Sequence, residues 1–121
     1  MPNDRQNIIV EKSIAFSIAV IKYCDKLESK RKYVIAKQLL RSATSIGANV
    51  FEVQNAESKA DFIHKMKIAA KETSETLYWM ALCQKVENYE FEEHLMTQLD
   101  EITRIISKII ATSKQQRQVS N

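Results

Sequence analysis

QLLRSATSIGANVFEVQNAESKADFIHKMKIAAKETSETLYWMALC, residues 38–83, reads as two long helices broken once. In its first half Leu39, Leu40, Ala43, Gly47, Val50 and Phe51, with Ala36 just before, recur at the i, i+3, i+4, i+7 spacing of an amphipathic helix. The break falls near Asn55–Ser58. Ser58 suits an N-cap, and Asp61 three residues on supplies the acidic member of a capping-box-like pair. Beyond it Phe62, Met66, Ala69, Thr73, Leu77 and Met80 gather on one side at 100° per residue. Gly47 stands inside the first of these helices, at a cost of about 1 kcal/mol against Ala. Either the helix bends there or another backbone comes close, and Ser42, Ser45, Ala48 and Asn49 keep the surrounding surface small.

The rest of the chain continues the pattern. Its 121 residues contain one Gly and one Pro, where average usage would supply about fourteen together. Tight turns and hairpins need those residues, so few, long elements are predicted. A first helix spans about 6–27, with Ile8, Ile14, Ile18, Ile21 and Leu27 in a broad apolar stripe that includes Ala15, Phe16, Ala19 and Tyr23. The two helices of the opening stretch extend over about 31–55 and 58–87. A fourth covers about 90–113, where Phe91, Leu95, Leu99, Ile102, Ile106 and Ile109 recur at spacings of three and four. Its acids lie early and its cations late, as the helix dipole favours. Residues 114–121 lack an apolar face and are expected to fray. Short connections make neighbouring helices antiparallel. The expected fold is an all-α, antiparallel, up-down-up-down four-helix bundle forming one domain over 1–121, about 30 Å long.

Several function classes drop out. No cofactor or metal is expected. One Gly cannot build a phosphate-binding loop, and His64 and His94 pair with no Cys at ligand spacing. No Ser-His-Asp set is nominated, and Glu72 and Glu75 are carboxylates of the kind helices usually solvate or pair. The chain reads as no enzyme. Cys24 and Cys83 lie in apolar pattern and read as buried, reduced thiols. There is no leader-like N-terminus and no apolar run of about 18 residues, so a soluble, cytoplasmic protein with no membrane partner is expected. A net charge of +3 permits nucleic-acid binding without demanding it.

Two surfaces of the third helix differ in kind from its core side. His64, Lys67, Lys71 and Lys85 fall within about 60° of one another, with Tyr78 among them and no acid. A basic row with an aromatic suits phosphates and a stacked base; the same pattern also describes a plain solvated lysine face. Lys37 and Arg41 on the second helix are further candidates for phosphate contact. A second strip carries Glu72, Glu75 and Trp79, faced on the second helix by Arg41, Ser45, Asn49 and Glu52. An Arg41–carboxylate pair across the helices, with Glu72 or Glu75, would satisfy both groups. The strip is either an internal polar network or a subunit interface, with Trp79 as anchor in the second case.

The same 38–83 stretch resembles the 23S rRNA-intervening sequence proteins. R-S-A-x-S-I-x-A-N from Arg41, then A-E-S from Ala56, then F-x-x-K-M-K-I-A from Phe62 carry the likeness. Gly47 stands where many members have Pro. The resemblance implies antiparallel four-helix bundles that form ring-shaped homopentamers, with no catalytic set to transfer. Many members are encoded inside intervening sequences of bacterial large-subunit rRNA genes. A related branch, the accessory variability protein of diversity-generating retroelements, is a basic barrel that binds nucleic acid and a reverse transcriptase; the charge of +3 departs from that branch. The expectation is a homo-oligomer, pentameric by resemblance, that binds RNA or DNA. The alternative is a scaffold for a protein partner.

Overall fold

The computed structural model describes the backbone of residues 4–120 and the side chains of residues 8–116. Four helices follow one another: α1 Asp4–Ser29, α2 Tyr33–Glu52, α3 Lys59–Lys85 and α4 Glu93–Ser120. A single 3-10 turn, Val53–Asn55, tightens the end of α2. The helix of α4 runs through the segment expected to fray, and Asn121 lies outside the described residues. The helix carries that polar tail because nothing in it breaks a helix: it has neither Gly nor Pro.

The helix ends show how the chain turns. At the end of α1 the Lys32 N–H reaches the Leu27 carbonyl and the Arg31 N–H the Glu28 carbonyl, both at 2.9 Å. That is a Schellman closure, with Arg31 in the left-handed region at φ 64°. Asn88 takes the same conformation, φ 69°, between α3 and α4, where Asn is well tolerated. At the start of α3 the Ser58 hydroxyl accepts from the Asp61 N–H at 3.0 Å, and the Asp61 carboxylate accepts from Glu57 N–H at 3.1 Å. The expected cap forms, with the acid closing one residue further back.

Cross-helix contacts fix the directions. Gly47 lies against Ser13 and Ser17, while Cys24 donates to the Ala36 carbonyl, so α1 and α2 run antiparallel. Lys12 pairs with Glu101 and Lys26 with Glu92, which sets α4 antiparallel to α1. Lys59 meets Gln116 and Gln84 meets Glu93, which sets α3 antiparallel to α4. The result is an antiparallel up-down-up-down bundle in which each helix packs against the next and α4 closes on α1.

All four helices contribute to one core: Phe16, Val20 and Tyr23; Leu39, Ile46 and Val50; Met66 and Met80; Leu95, Ile102 and Ile106. Two expectations need correction. On α1 the buried face is Ile9, Phe16, Val20, Tyr23 and Leu27, while Ile8, Ile14, Ile18 and Ile21 are 42%, 50%, 49% and 43% exposed. A helix apolar around most of its circumference has a spacing but no unique phase, and the larger Phe16 and Tyr23 take the interior. On α3 Thr76 is buried and Leu77 is 48% exposed. The Thr76 hydroxyl donates to Ser42 Oγ at 2.9 Å, so a polar side chain is satisfied inside the α2–α3 seam. Gly47 faces α1 with room for a Cβ, which would stand 3.4 Å from Ser17 Oγ and 3.6 Å from Ser13 Cβ, at ordinary contact distance.

Candidate functional site

Helix α3 presents three faces, each set by the helical repeat. Its buried face holds Ile63, Met66, Ala69, Thr73, Thr76, Met80 and Cys83. Directly away from the core lie His64, Lys67, Lys71, Tyr78 and Lys85, all exposed. The three lysines and Tyr78 therefore form one row along the outside of α3, with Ser74 between them and no acid. The Tyr78 ring, 57% exposed, stands edge-to-face with Trp79 at 5.0 Å between centroids. That contact holds one edge of the phenol and leaves the ring able to meet a planar group. Lys37 is exposed on α2, one turn before Arg41.

The third face borders α2 and carries the polar strip. Arg41 Nη1 lies 3.6 Å from Glu72 Oε2, and Arg41 Nη2 donates to Glu75 Oε2. The same Glu75 oxygen accepts the Trp79 indole N–H at 3.3 Å. One guanidinium thus spans two carboxylates a helical turn apart, and one carboxylate gathers an arginine and an indole. Trp79 is half-buried and packs against the core. Glu72 Oε2 is buried, and among the described residues the charge that answers it is that of Arg41.

Ser45, Asn49 and Glu52 do not join that cluster. Ser45 Oγ donates to the Arg41 carbonyl at 2.7 Å, and Asn49 Nδ2 donates to the Ser45 carbonyl at 2.8 Å. Both side chains bond back along their own helix, the usual competition of short polar groups for nearby carbonyls. Glu52 is exposed in the last turn of α2. The buried Ser42–Thr76 bond was the polar link missing from the sequence reading. Its only signal was two hydroxyls on facing helices.

Chemistry is poorly served elsewhere. Tyr23, buried at the end of the bundle, donates to the Glu90 carbonyl at 2.5 Å, and burial raises its pKa. Burial likewise pushes the Cys24 thiol up to about 12 and raises that of Cys83, so both are held protonated. The cleft beside Tyr23, lined by Lys26, Leu27, Lys32, Tyr89 and Glu90, has a volume of about 10 Å³. That is room for one water at most. Lys26 and Lys30 there are paired with Glu92 and Glu90, and Lys32 lies over the Tyr89 ring at 5.0 Å. Among the described residues no three His, Cys, Asp or Glu side chains converge as a metal site requires, and no helix is long and apolar enough to cross a membrane.

A four-helix bundle with an acid-free basic row on one helix and an Arg–carboxylate–Trp strip beside it is the class of protein defined so far. Residues 5–110 match the family described as 23S rRNA-intervening sequence protein, and the chain belongs to that family. It is also similar to a solved structure from Bacteroides thetaiotaomicron, described as a protein with unknown function from the S23 ribosomal protein family. The two are 38% identical, with a TM-score of 0.82, over 88% of this chain and 98% of that one. No curated protein matches.

Proposed function

We propose that the chain is a non-catalytic, cytoplasmic bundle that assembles with its own copies into a ring, a pentamer, and binds RNA or DNA through the outside of α3. The observation that supports binding is the exposed row of Lys67, Lys71, Tyr78 and Lys85, with His64 at its end and no acid along it. Lysines meet phosphates, and Tyr78 offers a face to a base. Repeated around a ring, a patch too small to bind alone becomes a set of linked contacts with avidity. Support for the ring is the family's resemblance-borne assembly.

A second reading is a scaffold with no nucleic-acid affinity. It is favoured by the Arg41–Glu75–Trp79 strip, since Arg and Trp are the residues that dominate protein interfaces. Light scattering at low and high salt, with and without a mixed RNA, separates the two. An oligomer that gains mass with RNA only at low salt is expected, because phosphate binding releases counterions. An oligomer indifferent to RNA at every salt concentration moves the function to the scaffold, and a monomer removes the ring.

A further inference from the structure

Helix α3 differs from its neighbours in the sign of its outer face. Its exposed residues include Lys59, Lys67, Lys71 and Lys85 with His64, and no acid. Among the described residues every other helix exposes at least one acid: Glu11 on α1, Glu52 on α2 and Glu101 on α4. The three acids of α3 are turned aside. Asp61 accepts the Glu57 N–H and lies 3.6 Å from Lys65, while Glu72 and Glu75 meet Arg41. A polyanion laid along the outside of α3 therefore meets one sign of charge from that helix.

The row is also segmented. Between Lys71 and Lys85 the exposed residues are Ser74, Leu77, Tyr78 and Gln84, none of them charged. Leu77 is 48% and Tyr78 57% exposed. At about 1.5 Å per residue, Lys71 and Lys85 each stand about 10 Å along the axis from Tyr78. Lysines thus bracket an uncharged platform whose aromatic ring is steadied by its edge-to-face contact with Trp79. An unpaired base with phosphates on either side matches this order: the ring takes the base and the lysines take the backbone. A duplex does not match it. Its bases are already stacked on one another, so its phosphates would lie across Leu77 and Tyr78. Nor can α3 enter a groove. It packs between α2 and α4, and helices about 8–10 Å apart form a surface broader than the roughly 12 Å major groove.

We infer that this face of α3 takes single-stranded nucleic acid in preference to a duplex, with a base stacked on Tyr78 and the backbone on Lys71 and Lys85. The inference rests on the nucleic-acid reading above and names the form of the ligand. Recognition is through phosphate charge and through the π-face that every base has, so base sequence matters little. The two contributions respond differently to salt. Each phosphate contact adds to the slope of log K against log salt, whereas stacking does not.

Fluorescence anisotropy with a labelled mixed-sequence RNA of about 16 nucleotides, alone and annealed to its complement, tests this. The wild-type chain should bind the strand about tenfold more tightly than the duplex, or better, which is the scale of one stacked base. Tyr78→Ala should erase that preference and leave the salt slope unchanged, and Tyr78→Phe should keep it. Lys71→Gln combined with Lys85→Gln should instead lower the slope, by roughly 1 to 2. If Tyr78→Ala loses helical circular dichroism, an abasic strand of the same length decides: the wild type should bind it no better than the duplex. Equal affinity for strand and duplex, or a preference that survives in folded Tyr78→Ala, overturns the single-strand assignment and leaves nucleic-acid binding standing. Binding to neither at low salt overturns both.

Discussion

Arg41 on α2 donates to Glu75 on α3, and the Glu75 oxygen that accepts it also accepts the Trp79 indole N–H. The pair ties two helices at mid-length, yet Arg41 is 49% and Glu75 38% exposed. Water therefore screens it, and exposed pairs contribute little. Glu75→Gln should lower stability by about 0.5–1 kcal/mol in urea unfolding. Arg41→Ala should cost more, because it leaves the buried Glu72 oxygen unanswered. A double-mutant cycle isolates the coupling; equal losses from both single variants would place Glu72 outside the network.

The buried Thr76–Ser42 bond makes a sharper prediction. Ser42→Ala leaves the Thr76 hydroxyl, wholly buried, without the side-chain partner it now has. The expected loss is about 1–3 kcal/mol, whereas Ser42→Ala combined with Thr76→Val should approach neutrality. Denaturation midpoints of the two singles and the double test this, and a strictly additive double would refute it.

Gly47 and Arg31 occupy each other's favoured settings. Gly47 lies mid-helix with no left-handed requirement, and a Cβ there meets Ser17 at ordinary contact distance. Gly47→Ala should therefore stabilise by up to about 1 kcal/mol, while Gly47→Leu should destabilise by forcing α1 away. Arg31 holds the left-handed position of a Schellman closure. Arg31→Gly should relieve about 1 kcal/mol of backbone cost. Thermal unfolding of the three variants gives the signs directly.

Alkaline pH should unfold the bundle cooperatively. Cys24 titrates at about 12 in the folded chain against 9.0 for an ordinary thiol, and burial raises Cys83 and Tyr23 in the same direction. A raised folded pKa means that the unfolded chain releases the proton first. Stability is thus fully present below pH 9 and falls as pH rises toward 12, on the order of 1 kcal/mol per pH unit for each such group. Urea midpoints between pH 8 and 11 should drop, and Cys24→Ala should flatten the drop.

Much of the candidate site was legible in the sequence because it lies on the outside of α3. Once that helix has a core side, spacing alone puts His64, Lys67, Lys71, Tyr78 and Lys85 outward together. The Arg41–acid pair was legible for a related reason: a long cation and two acids a turn apart on adjacent helices have few better partners. Ser45 and Asn49 were not, because a short polar side chain reaches its own helix as readily as its neighbour.

The sequence by itself determined four long helices, their order, the Ser58 cap and the antiparallel packing, since periodicity, capping chemistry and short connections are local properties. The tertiary structure alone decided which side of α1 is inside, that Thr76 and not Leu77 is buried, and that Gly47 faces α1 with room for a Cβ. Those are questions of phase and fit. On α1 Ile14, Ile18 and Ile21 are as apolar as Ile9, Val20 and Leu27, so hydrophobicity could not rank the faces. The volumes offered by α2 and α4 could, and they admitted Phe16 and Tyr23 and turned the three isoleucines outward.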